Sequence, residues 1–121
     1  MRIRGGPAVY SKYMLHLVHR PQSVDARIRL AIANKRLVEV GYNGRARVAE
    51  PHDYGKRNGI DRLLVYQLKC ASSFGRKAIG WRFLDIAKIE SLEVLDTTFK
   101  GSRRKAGQEH HVWDALYARV D

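Results

Sequence analysis

At 121 residues the chain has the length of one domain with a substantial core and little surplus for a second. Apolar residues make up 45% of it, which excludes wholesale disorder; 23 Lys and Arg against 12 Asp and Glu leave a formal charge of +11, which favours a polyanionic partner, nucleic acid ahead of an anionic membrane surface. A single cysteine, Cys70, excludes an internal disulfide, and no run of about 18 apolar residues exists to span a bilayer, so the expected compartment is the cytoplasm.

Residues 1–22 read as an N-terminal extension with a loose leader at Gly5-Gly6-Pro7. Tyr10, Met14, Leu17 and Val18 fit helical spacing, and the stretch 8–18 also fits a strand; helix is the reading taken here. Basic residues precede this apolar stretch as in a signal peptide, but Ser11, Lys12 and His16 interrupt it and no small-residue cleavage site follows. His19-Arg20-Pro21 breaks it, because the residue before proline avoids the α region. Ser23 then caps a stronger helix, with Asp25 in its first turn, an apolar stripe of Val24, Ile28, Ala31 and Ile32, and Asn34 as its stop.

The segment 37–51 predicts a hairpin. Val38, Val40 and Tyr42 alternate with Glu39 and Gly41, and Asn43-Gly44 supplies the two positive-φ residues of a type I′ turn. Arg45 and Arg47 alternate with Ala46 and Val48 on the return, so both arginines project from one face. Pro51 is expected to close the strand, and residues 52–59 to form a turn-rich link. The run 60–71 is apolar on both faces, as in a central strand. Residues 72–77 read as a hairpin loop, 78–84 as the returning strand with Gly80 as a bend, 85–88 as a single helical turn, and Ile89 to Leu95 as a short last strand, with Phe99 folding back as a plug. Residues 100–107 read as a basic linker, and Val112, Trp113, Leu116, Tyr117 and Val120 predict a C-terminal amphipathic helix. The expected fold is mainly β: a small five-stranded barrel over 23–99, preceded by an N-terminal helix and followed by linker and helix over 100–121.

An arginine fork holds a phosphate through two parallel hydrogen bonds, which makes Arg47, with Arg45 beside it, the first candidate binding residue. The competing reading is a strand arginine paired with a carboxylate such as Glu50. Arg82 alternates with Trp81, a phosphate contact next to a ring able to stack on a base, although large aromatics more often serve the core. Lys56-Arg57, Arg76-Lys77 and Arg103-Arg104-Lys105 form either a solvated surface or a phosphate track. The histidine pairs lack thiolates or carboxylates at metal-ligand spacing, and no nucleophile elbow, phosphate loop or dinucleotide fingerprint appears; neither metal, cofactor nor enzymatic activity is expected.

The order of elements over 24–99 resembles the WYL domain of bacterial transcriptional regulators. The resemblance rests on Tyr42-Asn43-Gly44, on Arg47 four residues before Pro51, and on Arg62-Leu63-Leu64-Val65 at the name-motif strand. It continues through the segment 81–89, from Trp81 through Lys88 to Ile89, and ends at Phe99. Leu63-Leu64-Val65 replaces the aromatic motif, Lys88 replaces an arginine, and Asp85 stands where a second arginine is common. The resemblance implies an Sm-like barrel, a role in transcription regulation, and a cluster of Tyr42, Arg47, Arg62 and Arg82 facing a nucleic-acid or nucleotide ligand. The expected function is non-enzymatic sensing of an anionic ligand through Tyr42, Arg45, Arg47, Arg62, Trp81, Arg82 and Lys88. The alternative is a protein-interaction or homo-oligomerisation module that uses the terminal helices, with Trp113, Leu116 and Tyr117 as anchors.

Overall fold

The computed structural model describes residues 22–104 and 112–121; the helix expected over 8–18 lies outside them. Helix α1 (Val24–Ala33) starts where the sequence places it. The Ser23 Oγ accepts the Ala26 N–H at 3.0 Å, Asp25 lies in the first turn and Asn34 is the C-cap. Ile28, Ala31 and Ile32 are buried, and Val24 packs against them. The Tyr54 hydroxyl donates to Asp25 at 2.7 Å and Arg27 donates to the Leu92 carbonyl, so the helix is tied to two strands as well as packed on them.

Six strands follow: β1 (Arg36–Tyr42), β2 (Arg45–Arg57), β3 (Ile60–Cys70), β4 (Gly80–Asp85), β5 (Ile89–Thr98) and β6 (Ala115–Arg119). The hairpins β1–β2 and β2–β3 both turn on Asn-Gly. Asn43 and Gly44 have φ of 52° and 71°, Asn58 and Gly59 of 53° and 78°, the left-handed pair that a type I′ turn needs. The sheet is antiparallel in the order β4-β3-β2-β1-β5, and β6 joins β2 beyond the end of the β1 ladder. One face, with Val38, Val40, Leu63, Val65, Leu84 and Leu92, meets α1 and forms the core.

Three expectations are corrected. The sheet does not close into a barrel: β4 and β5 are consecutive through the 3-10 turn Ile86–Lys88, yet no ladder joins them. At that corner the Asp85 N–H donates to the Tyr42 hydroxyl at 3.0 Å, so a side chain rather than a strand satisfies it. Secondly, the expected C-terminal helix is a strand. β1 leaves β2 at Ala49, and β6 takes up the vacated edge with Asp53 opposite Arg119 and Tyr54 opposite Ala118; ladder partners outweigh the helical spacing. Thirdly, Pro51 does not end β2. It lies between the β1 and β6 ladders and next to a bulge at His52, which is where a strand tolerates a residue without an N–H. Residues 52–57 are therefore strand, with only Asn58-Gly59 left as turn.

Among the described residues no helix is long and apolar enough to cross a membrane.

Candidate anion-binding site

Antiparallel register decides which side chains share a face. Tyr42 stands opposite Arg45 and Val40 opposite Arg47; Ala49 is opposite Gln67, Val65 opposite Arg82. Tyr42, Arg47, Gln67 and Arg82 thus lie on the core face, at the end where the Asn43-Gly44 turn and the loop 71–79 meet through the Ala71 N–H to Ala46 carbonyl bond of 2.9 Å.

A buried amide organises this end. Gln67 is 1% exposed; its Nε2 donates to the Ala78 carbonyl at 2.8 Å, and its Oε1 accepts from Arg47 Nη1 at 3.2 Å. Arg47 Nε and Nη2 also donate to the Tyr42 carbonyl at 3.3 and 3.1 Å, with the guanidinium 5.4 Å from the Tyr42 ring centroid. Arg82 donates to the carbonyls of Trp81 at 2.9 Å and Lys77 at 2.8 Å. Each guanidinium is therefore held by neutral acceptors, Arg47 by Gln67 and Tyr42 and Arg82 by Trp81 and Lys77, and each Nη keeps an N–H to give to something else. Arg45 adds a donor to Ser73 Oγ at 3.4 Å, Arg76 and Lys77 are exposed on the same loop as Ser73, and Lys69 is exposed opposite Val48 on the other face. None of these six cations forms an ion pair with an acid among the described residues.

Three of the residues expected at the site stand elsewhere. Arg62 is opposite Asp85 and donates to its Oδ1 at 3.0 Å, while Lys88 reaches Oδ2 at 3.6 Å, so one carboxylate engages both cations. Trp81 alternates with Arg82 and points to the other face, edge-on to His52 and Tyr66 at centroid distances of 4.8 and 5.3 Å. A single ligand cannot stack on Trp81 and sit under Arg82. Nor is Glu50 the partner of Arg47: it holds Arg103 with a bidentate pair at 2.7 and 2.9 Å.

That second face is covered by the chain's own C-terminal part. The bulge sends His52 and Asp53 towards it, where Asp53, fully buried, accepts from Arg119 at 3.0 and 3.1 Å and from the Trp113 indole at 3.2 Å, with Arg104 at 3.7 Å. His52 Nε2 accepts the Arg103 backbone N–H at 3.2 Å, which leaves the ring hydrogen on Nδ1 for the Glu50 carbonyl at 3.0 Å. Burial lowers the His52 pKa below the ordinary histidine value of 6.5, against the raising influence of that carbonyl and of Glu50 and Asp53. The unfolded chain accordingly binds the proton more readily, and the stabilisation from neutral His52 is complete above pH 6.5 and lost as pH falls below it. Urea unfolding midpoints should decline from pH 7 downward in this window, and His52→Gln should flatten that part of the profile; an unchanged slope in the variant would assign the decline to other groups.

Sequence reasoning passed over Gln67, read only as a strand residue, and the roles of Glu50, Asp53 and Arg119. A lone glutamine in an apolar strand was the available clue to the first; the others have no local signature. Among the described residues no group of three or more His, Cys, Asp or Glu is placed to hold a metal ion, and Cys70 is a buried free thiol. Comparison of the chain with protein-family models, curated proteins and solved structures finds no match.

Proposed function

We propose that this domain is a non-enzymatic, WYL-like regulatory module that binds an anionic ligand, single-stranded nucleic acid or a nucleotide, at the end of the sheet carrying Arg45, Arg47 and Arg82. The observation that carries the reading is that two guanidiniums are fixed by neutral oxygens with N–H groups to spare, Arg47 by the Gln67 amide and the Tyr42 carbonyl and Arg82 by the Trp81 and Lys77 carbonyls. A charge-assisted fork of this kind suits a phosphate, and preorganisation lowers the cost of ordering it on binding. The chain's charge of +11 favours the same partner. The helix, the Asn43-Gly44 hairpin and the strands carrying Arg62 and Arg82 come in the order the resemblance uses, but the sheet is open where the resemblance implies a barrel. Arg62, Lys88 and Trp81 lie outside the ligand contact in this reading.

The interaction-module alternative has less to draw on. Two of its three C-terminal anchors are engaged within the chain, the Trp113 indole on Asp53 and the Tyr117 hydroxyl on Asp61 at 2.8 Å with its ring against Tyr54, while Leu116 stays 43% exposed.

Fluorescence anisotropy with labelled single-stranded oligonucleotides and with cyclic nucleotides tests the proposal. Affinity for an oligonucleotide should fall with salt, by roughly 0.7 of a log–log unit for each phosphate neutralised. Arg47→Ala should weaken binding about tenfold, and Arg47→Lys should recover only part of it because the fork is lost. Equal binding by wild type and both variants would place the site elsewhere.

A further inference from the structure

The loop 71–79 presents an apolar cleft that the arginine site does not use. It is held at both ends, by the Ser73 N–H to the Cys70 carbonyl at 3.0 Å and by Ala78, 5% exposed, whose carbonyl takes the Gln67 amide. Between these anchors Gly75, at φ +62°, opens the 3-10 turn Gly75–Lys77. The anchored ends hold Phe74 out of the sheet at 85% exposure and Ile79 at 48%. With Ala46 and Val48 of β2 and Leu68 of β3, these two side chains bound a cleft of about 470 Å³ whose lining is predominantly apolar. Such a volume lies within the range of small-ligand sites, roughly 300–1,000 Å³.

The rim is cationic. Lys69 lines the cleft, the exposed Arg76 and Lys77 follow Phe74 and Gly75 on the loop between lining residues Gly75 and Ala78, and Arg45 donates to Ser73 of the cleft wall. One cation in the cleft wall and three on the adjoining loop and strand match a chain of phosphates beside an aromatic body better than they match one compact anion. An apolar lining offers few hydrogen bonds to base edges, so stacking rather than sequence readout would hold the base. A base paired in a duplex could not reach the slot.

We infer that this cleft is a second subsite at which one base of a single-stranded nucleic acid stacks on Phe74, while the flanking phosphates run over Lys69, Arg76 and Lys77. The inference rests on the proposed function and extends it: the ligand is a polymer longer than a nucleotide, read without sequence preference.

Phe74 is exposed enough for its truncation to leave the fold intact, which a thermal melt verifies. Anisotropy titrations would use labelled oligothymidylate of about 12 nucleotides, within the span that single-strand folds commonly cover, and inorganic polyphosphate as competitor. Phe74→Ala should weaken oligothymidylate binding by about tenfold or more, the worth of one stacked base. Phe74→Trp should retain it, and polyphosphate affinity should stay unchanged in both. Oligothymidylate binding untouched by Phe74→Ala would overturn the subsite and leave the arginine site standing. So would equal affinity for a duplex of the same length, or a Phe74→Ala effect confined to self-association in light scattering. A wild-type protein that binds neither oligothymidylate nor polyphosphate would overturn the subsite, and if it also binds no cyclic nucleotide the arginine site is removed with it.

Discussion

Asp53→Ala should lower the unfolding free energy by about 3–5 kcal/mol, the cost of removing one partner from a buried ion pair. The carboxylate is fully buried and serves the Arg119 guanidinium and the Trp113 indole by hydrogen bonds, with Arg104 at 3.7 Å. Arg104 has a side chain only 9% exposed and Arg119 one 27% exposed, so neither cation regains full hydration when its partner is removed. With a urea m-value of order 1–3 kcal/mol/M for a domain of this size, the midpoint should move down by about 2 M. Hydrogen exchange should show the loss concentrated in β6, whose ladder begins at the Asp53–Arg119 pair. A change below about 1 kcal/mol would mean that these groups are solvated in solution and that β6 docks by other means.

Gly55→Ala is expected to destabilise the protein by about 3 kcal/mol, at the upper end of the cost of overpacking. The direction is informative because entropy alone argues the other way: alanine in a strand loses less freedom on folding than glycine, by roughly 0.5–1 kcal/mol. Packing decides. A Cβ at Gly55 would overlap the Ala115 carbonyl oxygen and stand 3.0 Å from the Trp113 ring and 3.1 Å from Leu116 Cα. Two of those three atoms are backbone, so β6 must shift or detach. Gly41 is the control. Its Cβ would meet Ser91 Oγ at 2.5 Å, the end of a side chain that can rotate, so Gly41→Ala should cost far less. Urea unfolding of the two variants, with amide exchange in Ala115–Arg119, measures the contrast. Equal effects would show that β6 does not press on Gly55.

The features readable from the sequence were those whose physics is complete within a few residues. Ser23 caps because its hydroxyl reaches an N–H three positions on, and Asn43-Gly44 turns because both residues accept positive φ. Alternation in 37–42 assigned Val38 and Val40 to the core, and continuous apolarity marked Leu63, Leu64 and Val65 as a strand buried on both faces. The helical turn expected at 85–88 forms as Ile86–Lys88.

The site was legible only in part. Period-two alternation puts Arg45 and Arg47 on one face, and that much needs no partner strand. Whether those charges remain available depends on where the acids go, which is a matter of distant pairing. Arg62 met Asp85 across β3–β4, whereas Glu50, three residues from Arg47, turned to Arg103 at a separation of 53 residues. A single bulged residue, His52, redirected Asp53 inward and made it the anchor of the C-terminal strand.

Sequence by itself determined the helix, the Asn43-Gly44 turn, the β-rich composition of the sheet and the excess of positive charge. Tertiary structure alone decided that the sheet stays open, that residues 115–119 extend rather than coil, and which arginines keep their charge uncompensated. The division follows from range: caps and turns are fixed by neighbours along the chain, while ladders, bulges and ion pairs are settled by whichever segment the folded sheet brings alongside.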